Sequence, residues 1–325
     1  MDKRIILAAA VIVTAALLAG CGPGPSGEAD KGKPSKPMAR TELIMATGGT
    51  GGVYFPLGGS MAKAWNDAIP GLNVTVQATG ASVANIRLLA KKEVDLALVQ
   101  NDIADYGRTG REAFAEKKEK YENYLAVAAL YPEVVQIVVR ADGPIRRVED
   151  LKGKKVVVGA AGSGTELASR QILAAYGMTY QDNKDLKPLF LGFAEGATVL
   201  KENSADALVI VSGIPNASLA DVQTTANIRL LPIAPDKVAG EHPFYVAFKA
   251  AAGTYKGMDH DVEVLALKAM LVVRDEVSAD LVYEMTKTLF ENTGRVGHAK
   301  AKEFDVNLAT RGVTIPLHPG AAKYY

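Results

Sequence analysis

Four short segments put glycine or a small polar residue where a strand is expected to give way to a helix: Thr47 to Tyr54, Thr79 to Asn85, Gln100 to Asp102 and Gly162 to Thr165. In open α/β sheets, ligands lie at the carboxyl ends of strands. The helix N-termini there offer unpaired backbone N–H groups and the positive end of a dipole, which suits a carboxylate. Glycines let a ligand approach the backbone, and hydroxyls add donors. One such loop alone is equally an ordinary βα turn or a cap. Repetition in both halves of the chain points to a small anion gripped between them.

Other chemistries lack their residues. Gly159 to Gly164 does not satisfy G-x-G-x-x-G, and Gly48 to Gly52 is not followed by the lysine of a phosphate-binding loop. No cofactor is therefore expected. The histidines at 242, 260, 298 and 318 are far apart without ligand spacing, so surface or capping roles are expected of them and no metal. Ser163 stands in Gly-Ser-Gly, without the nucleophile elbow and with no assignable base. A secreted hydrolase using Ser163 is thus the weaker alternative to a binding protein, and no enzyme is expected. A net charge of +1 and a pI near 7.7 give no argument for nucleic acid.

The elements that must position these loops alternate short β-branched runs with longer amphipathic stretches, an α/β pattern with largely parallel strands. Strands are expected at 42–47, 72–77, 94–100, 134–140, 154–160, 189–191 and 207–211. Helices are expected at 56–68, 82–90 (with Ser82 as its cap), 166–176, 196–202 and 279–292. About 285 residues exceed what one core normally serves. The reading is one lobe of 41–131 plus 236–325 and a second of 132–235, with a ligand cleft between them.

Ahead of this lies an export signal. Lys3 and Arg4 precede an apolar run from Ile5 to Leu18, shorter than the roughly 20 residues of a membrane span. Leu18-Ala19-Gly20-Cys21 resembles the bacterial lipobox, so residues 1–20 are read as a lipoprotein signal peptide and Cys21, the only cysteine, as the lipidated residue. The alternative is an ordinary signal peptide followed by an incidental cysteine. Residues 21–40, rich in Gly, Pro, Ser and Lys, are read as a flexible tether. The protein is thus expected outside the cytoplasm, held to a membrane by its lipid.

The segment Thr47 to Gly58, reading TGGTGGVYFPLG, closely resembles the opening signature of the TAXI family, the solute receptors of TRAP (tripartite ATP-independent periplasmic) transporters. The similarity continues through Thr79 to Asn85, Leu96 to Asp102, Leu130 to Glu133, Leu151 to Lys154, Gly162 to Thr165, Asp206-Ala207, Ser212 to Pro215 and Val282 to Lys287. The resemblance implies a two-lobed, type II periplasmic-binding-protein (Venus-flytrap) fold that closes on an organic acid such as glutamate, glutamine or a related dicarboxylate. It also implies delivery to TRAP permease subunits in the membrane; a binding protein serving a signalling partner is the runner-up. By position, Thr50, Gly52 and Tyr54 match the first ligand loop, Ser82, Val83 and Asn85 the second, and Gln100 and Asp102 the third. Ser163, Gly164 and Thr165 match the anion-facing turn of the far lobe, and Ser212 and Pro215 its second wall. Ala81, Ala84 and Asn101 depart from the pattern and bear on the ligand more than on the fold. Asp102 has two readings, a partner for a ligand ammonium or a cap for the next helix.

Overall fold

Hydrophobic alternation and glycine-marked turns lay out the first half of the domain as β1 (Thr41–Ala46), α1 (Tyr54–Ala68), β2 (Leu72–Gln77), α2 (Ser82–Ala90), β3 (Leu96–Gln100) and α3 (Asn101–Thr109). In the computed structural model, which describes residues 41–325, β1 lies between β2 and β3 and is parallel to both. Every residue of β3 is buried, as expected of a central strand covered on both faces. The signal segment, Cys21 and the spacer lie outside the described residues.

The chain then runs through β4 (Tyr124–Arg140), β5 (Lys155–Val157), α4 (Gly164–Ala175), β6 (Lys187–Leu189), α5 (Phe193–Lys201), β7 (Ala207–Ser212), α6 (Ala217–Val222) and β8 (Ile228–Leu230). It closes with α7 (Pro235–Val238), β9 (Val246–Ala250), β10 (Val262–Arg274), α8 (Ala279–Glu291) and α9 (Pro319–Tyr324). One sheet runs in the order β2-β1-β3-β10-β4-β7-β5-β6, with β8 beside β4 and β9 beside β10.

The expectation of largely parallel strands holds only at the two ends of this sheet. In the middle, β4 and β10 are antiparallel to each other and to β3, β7, β8 and β9. The reason is connectivity: the chain leaves the first half along β4 and returns along β10, so the two crossings run in opposite directions. The expected strand at 134–140 is only the second part of β4, which continues from Tyr124 through Pro132 without a break. Proline is tolerated there because β7 pairs with β4 only from Val134 onward. Register shifts opposite Ala269/Met270 and Leu271/Val272 mark bulges just before this point.

Buried side chains sort into a core for each half. Met45, Leu57, Trp65, Leu98, Tyr131, Leu271 and Met285 pack together, with the Trp65 indole donating to the Met285 carbonyl at 2.9 Å. Val135, Ile137, Val156, Ile172, Val209, Leu265 and Leu267 form another cluster, and Val134, Leu200, Leu208, Ile210, Leu219 and Val264 a third. Val238, Tyr245 and β10 as far as Leu267 therefore pack with the second half, whereas the sequence put the return crossing at residue 236. Among the described residues, no helix is long and apolar enough to cross a membrane.

Candidate functional site

The loops that open α1, α2, α4 and α5 meet around a cavity of about 320 Å³. Gly48 to Tyr54, Thr79 to Ser82 and Gln100 wall it from the first half, and Ser163 to Thr165, Gly192 to Glu195 and Ser212 from the second. Each of these four helices runs nine residues or more, so each brings first-turn N–H groups that no intrahelical carbonyl accepts. Among the described residues, no arginine, lysine or histidine lines the wall. Attraction for an anion here comes from backbone dipoles and hydroxyls, at distances where the low dielectric of a buried site strengthens them.

The halves touch across the seam. Ser218 Oγ donates to the Gly51 carbonyl at 2.9 Å, and the Ala84 N–H donates to the Gly162 carbonyl at 3.2 Å. The Gln100 amide lies directly over Gly164, where a Cβ would stand 2.0 Å from its Oε1. Only glycine fits at 164 with the seam made.

Of the residues singled out in the sequence, Thr50, Gly52, Tyr54, Ser82, Gln100, Ser163, Gly164, Thr165 and Ser212 line the cavity; Val83, Asn85, Asp102 and Pro215 do not. Val83 is buried in the apolar cluster beneath α2. Asn85 ties the wall together: its amide donates to the Thr47 and Leu98 carbonyls at 2.6 and 2.8 Å and accepts from Thr79 Oγ1 at 2.6 Å. It fixes three strand ends relative to one another. Ser82 is the first helical residue of α2 and not its cap, because Ala81 occupies the capping position with a positive φ of 71°. The Ser82 hydroxyl instead accepts the Gln100 N–H at 3.1 Å, joining α2 to the end of β3. Ser163 does cap α4, accepting the Glu166 N–H at 3.0 Å, which leaves its hydroxyl proton for the cavity. The histidines stand elsewhere: His298 and His318 accept backbone N–H groups at helix starts, and His260 contacts Asp259.

Asp102 lies in the first turn of α3, fully buried, with Oδ1 accepting the Ile103 N–H at 2.8 Å and Oδ2 without a partner among the described residues. Gln100 holds the capping position of α3 without a side-chain bond, so Asp102 is not the cap, and its carboxyl is not on the cavity wall either. Burial pushes its pKa up to about 7.

The carboxyl that is on the wall belongs to Glu133 in β4, 2 % exposed. The Tyr54 hydroxyl donates to its Oε2 at 2.7 Å. Desolvation drives the Glu133 pKa up to about 8; the Tyr54 hydrogen bond opposes that rise, and the Asp102 charge adds to it. The same burial and the neighbouring carboxylate hold the Tyr54 phenol well above its usual range, so it stays a donor. Glu133 was absent from the residues expected at the site. It is the single acid in the largely apolar β4, a pattern that signals a buried charge with a task. Phe193 and Glu195 at the start of α5 were also absent from that expectation, since nothing in GFAE resembles the glycine-hydroxyl pattern of the other loops.

A model of the NMT1-like family matches residues 45–325. Among solved structures, a putative L-cystine ABC transporter protein from Listeria monocytogenes is 14% identical, covering 82% of this chain and 97% of that one with a TM-score of 0.50. An ancestral arginine-binding protein bound to arginine is 20% identical, covering 82% of this chain and 99% of that one, also with a TM-score of 0.50. At these identities the likeness is one of fold. It gives this chain the mixed α/β fold of those two proteins, in agreement with the two-lobed type II expectation of fold.

Proposed function

The chain belongs to the NMT1-like family, and from that premise we propose that it is an extracytoplasmic solute-binding receptor that captures a small organic acid or amino acid between its halves. The observation that carries this reading is the convergence of four helix N-termini from both halves on one hydroxyl-rich cavity. A ligand carboxylate placed there takes several N–H groups at once, and only when the halves are together. Binding then shifts the open-to-closed equilibrium, and the closed form is what a membrane partner distinguishes from the empty one.

The partner in this reading is a TRAP-type permease, on the strength of the TGGTGGVYFPLG segment and the ordered similarity along the mature chain. The lobes of the reading are residues 41–131 with the last part of the chain, and 132–235 extended by the segment up to Leu267 that packs with it. Lipidation at Cys21 confines the receptor beside its permease. A melting-temperature screen over amino acids and dicarboxylates tests the central claim, because a ligand that binds only the folded state raises stability by RT ln(1 + [L]/Kd). Absence of any shift across both classes would refute it. Uptake into vesicles bearing the permease is expected to need an ion gradient and no ATP; ATP-driven uptake would overturn the TRAP assignment.

A further inference from the structure

We propose that Glu133, held by Tyr54 on the cavity wall, is the counter-charge for a cationic group of the ligand, and that taking up this group expels a proton from the Glu133 carboxyl. This rests on the solute-receptor reading and assigns a specificity role within that site.

The geometry supplies the argument. The cavity wall has hydrogen-bond donors on its helix ends, and these satisfy an anion without help from any side-chain cation. It has two carboxyls. Glu195 is already engaged, its Oε2 accepting the Gly192 N–H at 3.1 Å at the start of α5. Glu133 is held on its Oε2 by the Tyr54 hydroxyl, and no cation pairs with it among the described residues. A ligand with two carboxylates would bring one of them against this buried acid with no lysine or arginine on the wall to offset the repulsion. A ligand that pairs a carboxylate with an ammonium fits both ends: the carboxylate at the helix N-termini, the ammonium at Glu133.

The groups facing Glu133 do not alter this balance. Tyr54 comes from α1 and Tyr131 from β4 itself; burial and the neighbouring carboxyl hold both phenols well above their usual range, so both face Glu133 as neutral groups. Asp102 in α3 adds a negative field. Behind Tyr131, the Lys300 ammonium is occupied by Glu303 at 2.5 Å and by the Ile214 carbonyl at 2.6 Å. Lys268 of β10 is itself biased towards its neutral form by burial, and its charged neighbours are Glu303 and Arg311.

With the seam made and no ligand between the halves, Glu133 is protonated through neutral pH, since burial raises its pKa to about 8. Binding of an ammonium ligand proceeds as R–NH₃⁺ plus the Glu133 carboxylic acid giving the ion pair plus one H⁺ released to solvent. Affinity for such a ligand then rises with pH, by about tenfold per unit while the pH is well below that value, and levels off above it.

The experiment is titration calorimetry with amino acids and their deamino analogues: L-glutamate against glutarate, L-glutamine against glutaramate, L-leucine against 4-methylpentanoate. Each is run in two buffers of different ionisation enthalpy, at about pH 6 and about pH 8. We expect the ammonium-bearing member of at least one pair to bind more than about 30-fold more tightly than its analogue, as for loss of one partner of a buried charge pair. We expect proton release at the lower pH and tighter binding at the higher. Glu133→Gln keeps an acceptor for Tyr54 and should abolish the proton release along with that preference. Should E133Q fail to fold, the buffer dependence of the unaltered protein decides alone. Equal binding of a deamino analogue, or affinity that falls as pH rises, would overturn the proposal while leaving the receptor reading intact. If no member of any pair binds, the receptor reading falls with it.

Discussion

A methyl group at residue 51 is expected to wedge the two halves apart. Gly51 sits in the loop between β1 and α1, and a Cβ there would stand 2.7 Å from Ser218 Oγ and 2.9 Å from the backbone nitrogen of Ala194. Carbon and nitrogen or oxygen atoms rest comfortably at about 3.5 Å, so roughly half an ångström or more of opening is needed. Ser218 has a side chain that can rotate, but rotation forfeits its 2.9 Å bond to the Gly51 carbonyl. Ala194 offers no such escape, because its nitrogen is in the first turn of α5. Overpacking of a well-fitted contact costs about 1–3 kcal/mol. The contact exists only with the seam made, so the whole cost falls on the closed form and on ligand affinity, a loss of about 5- to 150-fold. Gly51→Ala should show this in calorimetry against whichever solute the melting screen identifies, while its unfolding free energy without ligand changes little. Ser218→Ala removes the cross-seam bond without crowding and should lose only about fivefold. A Gly51→Ala variant whose affinity stays within about twofold of the parent would refute the closure reasoning.

Three further outcomes follow from the same geometry. Asn85→Ala strands the Thr47 and Leu98 carbonyls and should cost about 3 kcal/mol in urea unfolding, with loosened strand ends weakening the ligand as well. Without ligand, stability should fall as pH rises from about 4.5 to about 8: the raised pKa values of Glu133 and Asp102 mean that the folded state binds more protons than the unfolded chain across this window. Asp102→Asn, which keeps the acceptor for the Ile103 N–H, should flatten the lower part of that fall in denaturation at several pH values; an unchanged slope would contradict it. Cys21→Ser should move the protein from the membrane fraction to the soluble one, and retained membrane association would remove the lipid anchor from the reading.

Much of the scaffold was legible because short-range patterns carry it. Leu72–Gln77 and the start of α2 at Ser82 match the spans read from alternation and helical spacing, and the glycine-hydroxyl loops fall on the cavity wall. What escaped the reading depends on pairing between distant segments. Nothing local in Val262 to Arg274 says that it lies antiparallel to Tyr124–Arg140, or that its first half packs with the second core and its second half with the first. Ser82 looks like a cap by type, but its hydroxyl answers a backbone N–H eighteen residues away in Gln100. Asn85 looks like a ligand contact by position, but three strand ends consume its amide. Asp102 and Glu133 exchange the roles that position alone would give them: the acid at the strand end turns to its own helix, and the acid inside the strand faces the cavity.

That exchange bears on how closure can be selective. The glycine-rich loops belong to one half or the other and move with it when the seam parts. Glu133 does not belong to either in that sense. Along β4, Leu130 and Tyr131 pack in the first core, while Val134 and Val135 pack in cores of the second, so Glu133 stands at the residue where the strand passes from one to the other. A ligand anchored at Glu133 is therefore held where the two cores meet along β4, with helix N-termini of both halves on the same cavity. A ligand anchored only at one set of loops would travel with that half and gain less from the other. Selectivity for the group that sits at Glu133 and commitment to closure thus draw on the same contact, and Tyr54, which starts α1 in the first half and holds the carboxyl by its hydroxyl, ties that contact to the first of the closing walls.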